Sequence, residues 1–171
     1  MADVSKFEPF ILKWEGGWSD HPADRGGKTM MGITLSTWQY YCTKQGRTGT
    51  AENLRSITRD EWRAVLKDMF WDRIHGDLIQ SQIVANIICD WVWASGSYGI
   101  TGVQRILGVK VDGICGYKTL KAINTRNPKE LFNDIKQARL AYVDKVIKAH
   151  PEQAVFRNGW INRINDLQYE E

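Results

Sequence analysis

Apolar residues recur at helical spacing along most of the chain. Phe7, Phe10, Ile11 and Trp14 stand at i, i+3, i+4 and i+7, one stripe of a helix from about Val4 to Glu15. Gly16 and Gly17 follow and are expected to end it, because glycine accepts the left-handed conformation of a C-cap. A loop rich in Gly and Asp runs from His21 to Thr29. Thr34 is placed to cap a second helix, whose apolar face holds Leu35, Trp38, Tyr41 and Cys42. Lys44 to Asn53 reads as a polar loop containing Gly46 and Gly49. Thr58 and Glu61 form a capping box, and Trp62, Val65, Leu66, Met69 and Phe70 continue as an amphipathic helix. Leu78 to Trp93 is the most apolar stretch, and a helix apolar on most sides belongs at the centre of a fold. Ser95-Gly96 closes it. Two shorter helical pieces then flank the turn signal Asp112-Gly113. Asn127-Pro128 reads as N-cap and first residue of a long helix striped by Leu131, Ile135, Ala138, Tyr142 and Val146, stopped by His150-Pro151. A last helix carries Phe156, Trp160, Ile164 and Leu167. With no clear alternating strand pattern and no internal repeat, the expected fold class is all-α, a central buried helix surrounded by amphipathic ones.

Composition narrows the classes of function. The 171 residues suffice for one domain, or a domain with a small appendage, and 43% hydrophobic with 25% charged residues is ordinary globular composition. Eight Trp is a high number, and indoles serve either as core or as flat faces for sugars. The net charge of +3 is scattered, without a basic run, which permits an acidic polymer as partner and argues against nucleic acid. Cys42, Cys89 and Cys115 are odd in number and far apart, and Cys42 and Cys89 lie on apolar faces. Buried free thiols, made in a reducing compartment, are expected. No secretory signal is visible, so synthesis in the cytoplasm is expected. The apolar run from Ile83 to Ala94 is too short to span a bilayer and is interrupted by Asn86 and Asp90, so no membrane insertion is expected.

The candidate chemistry is that of carboxylates. His21, His75 and His150 do not pair at metal-ligand spacing, and Asp20 with Asp24 lacks the later ligands of a calcium loop, so neither a metal nor a cofactor is expected. Arg25-Gly26-Gly27-Lys28-Thr29 lacks the spacing and preceding strand of a phosphate loop. Glu15 stands at the edge of the first apolar stripe, between Trp14 and Trp18, with two glycines beside it. Indole neighbours favour the neutral, proton-donating form of a carboxyl group. Two readings stand side by side: a general acid, or a solvated Glu near a helix end. Asp24, in a polar loop, suits the ionised partner that glycoside cleavage requires. Asp90 is either a buried hydrogen-bond anchor for a neighbouring helix or a substrate contact. Trp14, Trp18 and Trp91 either wall a groove or belong to the core.

These residues carry a resemblance. Glu15-Gly16-Gly17-Trp18, the segment Asp20 to Thr29, and Gly32-Ile33-Thr34 are similar to glycoside hydrolase family 108. Its members are lysozyme-like N-acetylmuramidases, many encoded by phages and prophages, and some are described as secretion activators. Phe70-Trp71-Asp72-Arg73-Ile74 resembles the stretch before that family's central helix. Gly102 to Gly108, Val111-Asp112-Gly113 and Gly116 to Leu120 resemble its C-terminal peptidoglycan-binding region, and Phe156 to Arg163 its closing motif. The resemblance implies a lysozyme-like fold, with residues 1–75 as the catalytic region and 76–171 as the helical peptidoglycan-binding region, expected to pack with the first as one compact unit. It also implies cleavage of the β-1,4 bond between N-acetylmuramic acid and N-acetylglucosamine.

It implies Glu15 as catalytic acid and Asp24 as the loop carboxylate, with Asp20 as its rival and Thr29 as a candidate for positioning water or substrate; Asp20, Asp90 and Ser95 are further candidate substrate contacts. The Thr position of phage-type lysozymes is Met30 here, with Thr29 one residue earlier, and Ala94 replaces an Asn that relatives often carry. The expected partner is the peptidoglycan glycan strand, in the periplasm or outside the cell, with a holin or secretion apparatus for export. The alternatives are a non-catalytic peptidoglycan binder and a secretion-regulating protein.

Overall fold

The structure, a computed structural model, describes residues 1–22 and 26–170. It divides into two compact units: Phe7–Met69, and Met1–Lys6 together with Phe70–Glu171. Helices dominate both, in keeping with the all-α expectation, and one small sheet adds to it.

In the unit Phe7–Met69, α1 (Val4–Trp14) leads into β1 (Trp18–Ser19), β2 (Thr29–Met30) and β3 (Ile33–Thr34). The helices α2 (Leu35–Lys44), α3 (Ala51–Arg55) and α4 (Arg59–Leu66) follow. Phe7 and Ile11 of α1 are buried, as the stripe predicts. The side chain of Thr34 caps α2 by accepting from the amide of Thr37, and Trp38, Tyr41 and Cys42 are buried on its inner face. Thr58 and Glu61 cap α4 reciprocally, as their spacing predicts.

Two features differ from the sequence reading. The loop expected from Lys44 to Asn53 already contains the start of α3, which Thr50 and Asn53 open with a second capping box. The helix expected to run through Phe70 instead widens into a π-turn over Lys67–Trp71 and then tightens into 3₁₀ turns, Asp72–Ile74 and Gly76–Leu78. Gly76 lies directly against the Trp71 indole, where any Cβ would collide.

A charge cluster around a buried carboxylate ties α1 to α4. Glu8 is almost inaccessible, and its carboxylate accepts from Arg59 Nε at 2.7 Å and from Arg63 Nε at 2.6 Å. The bond from Arg63 holds the Glu8 carboxyl below the ordinary range, against burial and with help from Arg59.

In the other unit, α5 (Gln82–Ser95) is the buried helix, with Val84, Ala85, Ile87, Ile88, Cys89, Asp90, Trp91 and Val92 all inaccessible or nearly so. It begins four residues later than its apolar pattern suggests, because Ser81 caps it and Leu78 still belongs to the 3₁₀ turn. It packs against α6 (Ser97–Leu107) and α8 (Pro128–Ala149). α7 (Tyr117–Thr125) packs on α6, and α9 (Arg157–Asp166) on α8. Gly96, at φ 59, ends α5 and starts α6. Asn127 caps α8 through the amides of Lys129 and Glu130, with Pro128 in its first turn. The buried line of α8 is Leu131, Ile135, Arg139 and Val143, so a charged residue occupies a core position.

That charge meets Asp90. Arg139 Nη2 lies 2.8 Å from Oδ2 of Asp90, and Arg163 of α9 donates to Oδ1 through Nη2 at 2.8 Å and Nε at 3.1 Å. Burial alone would push the Asp90 carboxyl up, but the attraction of Arg163 and Arg139 outweighs it and holds the group below the usual carboxylate range. The three cysteines are buried free thiols, and burial pushes the Cys115 thiol up to about 11. Among the described residues, no helix is long and apolar enough to cross a membrane.

A carboxyl depressed in the folded state stabilises the fold above its unfolded pKa, about 4, and loses that contribution as pH falls through the folded value. Asp90→Asn is therefore expected to lower the unfolding free energy at neutral pH by about 3–5 kcal/mol, because it leaves two buried or half-buried guanidinium groups without their anion. It should also flatten the decline of stability in acid. Denaturant titrations across a pH series measure both, and an unchanged free energy at neutral pH contradicts the role. Glu8→Ala is expected to cost about 1–3 kcal/mol by the same measurement, and a neutral result would show that the α1–α4 cluster is dispensable.

Candidate active site

Glu15 follows directly on α1. Its amide still donates to the carbonyl of Ile11 at 3.0 Å, so the residue continues the helical register although the helix ends at Trp14. It is half-buried, as are Trp14 and Trp18. The expected left-handed cap is absent: neither Gly16 nor Gly17 is among the residues at positive φ. The chain instead runs straight into β1. The glycines contribute open space, because a Cβ built on either would meet no atom of the described residues within 4 Å. Beside the acid the backbone is bare and exposed, which suits the approach of a polymer.

The sheet was not legible from alternation, since each strand has only two residues. Its register is antiparallel throughout, pairing Trp18 with Met30 and Ser19 with Thr29, then Met30 with Ile33 and Thr29 with Thr34. Residues opposite one another share a face. One face therefore carries the apolar row Trp18, Met30 and Ile33, with Ile33 fully buried. The other carries a row of hydroxyl groups, Ser19, Thr29 and Thr34. Thr34 is occupied by its capping bonds to α2, with Oγ1 donating to Thr37 Oγ1 at 2.9 Å. Ser19 and Thr29, both half-buried, make up the rest of the row.

Met31 and Gly32 form the two-residue turn between β2 and β3. Their φ angles, 49° and 81°, are both positive, as a type I′ hairpin turn requires. Glycine accepts this freely, whereas for Met it costs about 1–2 kcal/mol. Two bonds hold the strained turn. Trp62 Nε1 donates to the Met31 carbonyl at 2.9 Å, and the Met31 amide donates to the Gly17 carbonyl at 3.4 Å. The second links the turn to the backbone two residues after Glu15. Arg55, at the end of α3, lays its guanidinium 4.6 Å from the centre of the Trp18 ring.

The unit Phe7–Met69 thus brings Glu15, Trp18, Asp20 and Thr29 onto one short stretch of helix end and sheet. Asp20 is exposed immediately after β1. Asp24 lies outside the described residues. Asp90 and Ser95 belong to the other unit. Asp90 has no exposed surface and spends its carboxylate on Arg139 and Arg163, which fits the anchoring role of the two weighed for it. Ser95 is half-buried at the end of α5. Trp91 is core: its ring packs on Tyr142 at 6.0 Å and against Gly102, where no Cβ fits.

Sequence reasoning missed Arg55, the Trp62 clamp, and the arginines around Glu8 and Asp90. Only Arg139 left a signal, as a cation four residues from both Ile135 and Val143 on one helical stripe. Among the described residues, no group of three or more His, Cys, Asp or Glu is placed to hold a metal ion.

Comparison with known proteins bears on this geometry. A family model described as Glycosyl hydrolase 108 matches residues 9–96, and one described as Predicted Peptidoglycan domain matches residues 98–165. The junction falls at the α5–α6 corner, where Gly96 turns the chain. A solved structure titled "Structure of Brucella abortus SagA" is similar at 29% identity and a TM-score of 0.81, over 95% of this chain and 90% of that one. A comparison with curated proteins finds no match.

Trp62→Phe keeps the aromatic bulk and removes the donor to Met31. It is expected to lower the unfolding free energy by about 1–2 kcal/mol. Met31→Gly in the same background should recover part of that loss, because glycine relaxes the positive φ. Thermal or denaturant melts of the two variants and their combination check this, and a Trp62→Phe protein as stable as the wild type would show that the clamp carries nothing.

Proposed function

The chain belongs to the glycosyl hydrolase 108 family and is a peptidoglycan-directed glycoside hydrolase, and from that premise we propose that it is an N-acetylmuramidase with Glu15 as its general acid. The bond cut is the β-1,4 linkage between N-acetylmuramic acid and N-acetylglucosamine. Glu15, in its acid form, gives its proton to the bridging oxygen as the bond to the muramic C1 breaks. Asp24 stabilises the cationic character that develops at that carbon or directs the incoming water, whose hydroxyl ends on C1. The second proton of the water restores a carboxyl group, so the atoms balance. Thr29 and Ser19, on the hydroxyl face of the sheet, position substrate or water, while Asp20 is the rival for the second carboxylate.

The observation that carries this reading is the placement of Glu15. It is half-buried at the end of α1, flanked in sequence by two half-buried indoles, and followed by two exposed glycines that no other described residue crowds. A binding module has no need of an acid so placed. The action site expected for such chemistry is the cell wall, in the periplasm or outside the cell, reached through a holin or a secretion apparatus.

Release of reducing ends from purified peptidoglycan tests the proposal. Glu15→Gln is expected to cut the rate by about 10²–10⁴-fold while the helical circular dichroism stays unchanged. Asp24→Asn should cause a comparable loss and Asp20→Asn a small one; the reverse order would transfer the second role to Asp20. Undiminished release by Glu15→Gln would reject the assignment of the acid. No release by the wild type would favour a non-catalytic peptidoglycan binder or a secretion-regulating protein.

A further inference from the structure

Gln104 of α6 is fully buried and spends its side chain on one turn of the chain. Its Nε2 lies 2.9 Å from Asp112 Oδ1, 3.0 Å from the carbonyl of Ile114 and 3.3 Å from Thr119 Oγ1. Its Oε1 accepts from the amides of Asp112 and Gly113 at 3.0 and 2.9 Å. Asp112 closes the turn by accepting from the amide of Ile114 at 3.0 Å. Gly113, at φ 74, rests on α6, where a Cβ would touch Ser97 and Thr101. A satisfied buried network of this kind makes a segment rigid.

The rigid segment displays apolar surface. Val111, Ile114 and Tyr117 are 44%, 69% and 77% exposed, three of the eight large hydrophobic residues found exposed in the described chain. Isolated exposed apolar residues are ordinary, but three within one clamped segment mark a contact surface. Holding them in place beforehand removes part of the entropy cost of binding. α7 turns Thr119 and Ile123 inward, which leaves Tyr117, Lys118 and Lys121 on its outer face. Tyr117 and Lys121 are neighbours there at i, i+4.

Charge is concentrated in the same place. Between Ser97 and Arg126 stand Arg105, Lys110, Lys118, Lys121 and Arg126 against a single acid, Asp112; Arg126 pairs with Asp134 at 2.7 Å and Lys110 lies 3.7 Å from Asp112, so Lys118 and Lys121 carry the charge of the exposed face. The remainder of the chain is nearly neutral, so the net charge of +3 arises here. The Asp112 carboxylate is engaged within its own turn. Lys118 and Lys121 have no acidic partner among the described residues and face solvent.

We infer that the face formed by Ile114, Tyr117, Lys118 and Lys121 binds the stem peptide of peptidoglycan. The aliphatic and phenol surfaces lie on the peptide's alanine side chains, and the two ammonium groups meet its free carboxylates. The glycan backbone has few charges to satisfy a lysine pair, whereas the stem peptide carries several carboxylates. This inference rests on peptidoglycan being the target, and it assigns the second unit a ligand distinct from the bond that is cut.

The test uses the full-length chain. Isothermal titration with a soluble stem tetrapeptide involves no glycosidic bond, so its outcome is independent of whether Glu15 is the acid. Binding is expected to weaken as salt rises, and about tenfold in Tyr117→Ala or in the double variant Lys118→Glu, Lys121→Glu. In the Glu15→Gln background, intact wall sacculi should retain the protein, and sacculi stripped of peptide by an amidase should retain it less. Undetectable peptide binding, variants that bind as well as the parent, or equal retention on stripped sacculi or on a phosphate polymer would each overturn the inference. All four side chains are exposed, and unchanged circular dichroism separates a lost contact from a lost fold.

Discussion

The corner that presents Glu15 depends on one backbone constraint, the turn Met31-Gly32 with both residues at positive φ. That turn folds β3 back on β2, and β2 pairs in turn with β1, the strand that receives the chain as it leaves α1. Without it, Gly16 and Gly17 would be a flexible exit from a helix. With it, the Gly17 carbonyl is tied to the Met31 amide, and the acid stands between a helix end and a sheet edge. Trp62 reaches in from α4 to hold the Met31 carbonyl, so α4 supports the turn beside Glu15. α4 is in turn fixed to α1 by Glu8 with Arg59 and Arg63, which closes a loop of support around the acid.

The other unit is built around a different compromise. A core helix with eight buried residues carries one carboxylate, and two arginines from α8 and α9 neutralise it. Such clusters add little net stability, since desolvation opposes the attraction; Nε and Nη1 of Arg139 are buried without a hydrogen-bond partner among the described residues. What the cluster supplies is register. Only one rotation of α8 and α9 places both guanidinium groups on Asp90. The same unit then holds its outer turn with Gln104, a neutral device for a segment that must stay near solvent.

Local signals were read well from the sequence and distant ones poorly. Thr34, the pair Thr58 and Glu61, Asn127-Pro128 and Gly96 were legible because a cap is written within four residues of the end it serves. The sheet escaped notice because two-residue strands are too short to alternate. The start of α5 was misplaced because Leu78 and Ile79 continue the apolar pattern while the backbone is still in a 3₁₀ turn and its exit. Glu15 was found as a position, between indoles and before glycines. The conformation assigned to those glycines was wrong, because a strand, which sequence did not reveal, takes over the chain. The partners of Glu8 and Asp90 come from helices some fifty and seventy residues away, about which spacing says nothing.

The half-buried Glu15 with exposed glycines beside it, a hydroxyl-bearing sheet face, and a second unit with exposed basic and apolar residues are the features on which the proposed cutting of one part of a polymer, and holding of another, rests. The central claim concerns which bond is cut and by what chemistry. Mass spectrometry of the fragments released from purified peptidoglycan in ¹⁸O-labelled water decides it most directly. The account predicts fragments that end in reducing N-acetylmuramic acid carrying the label. Fragments ending in anhydro-muramic acid, or in reducing N-acetylglucosamine, would contradict it.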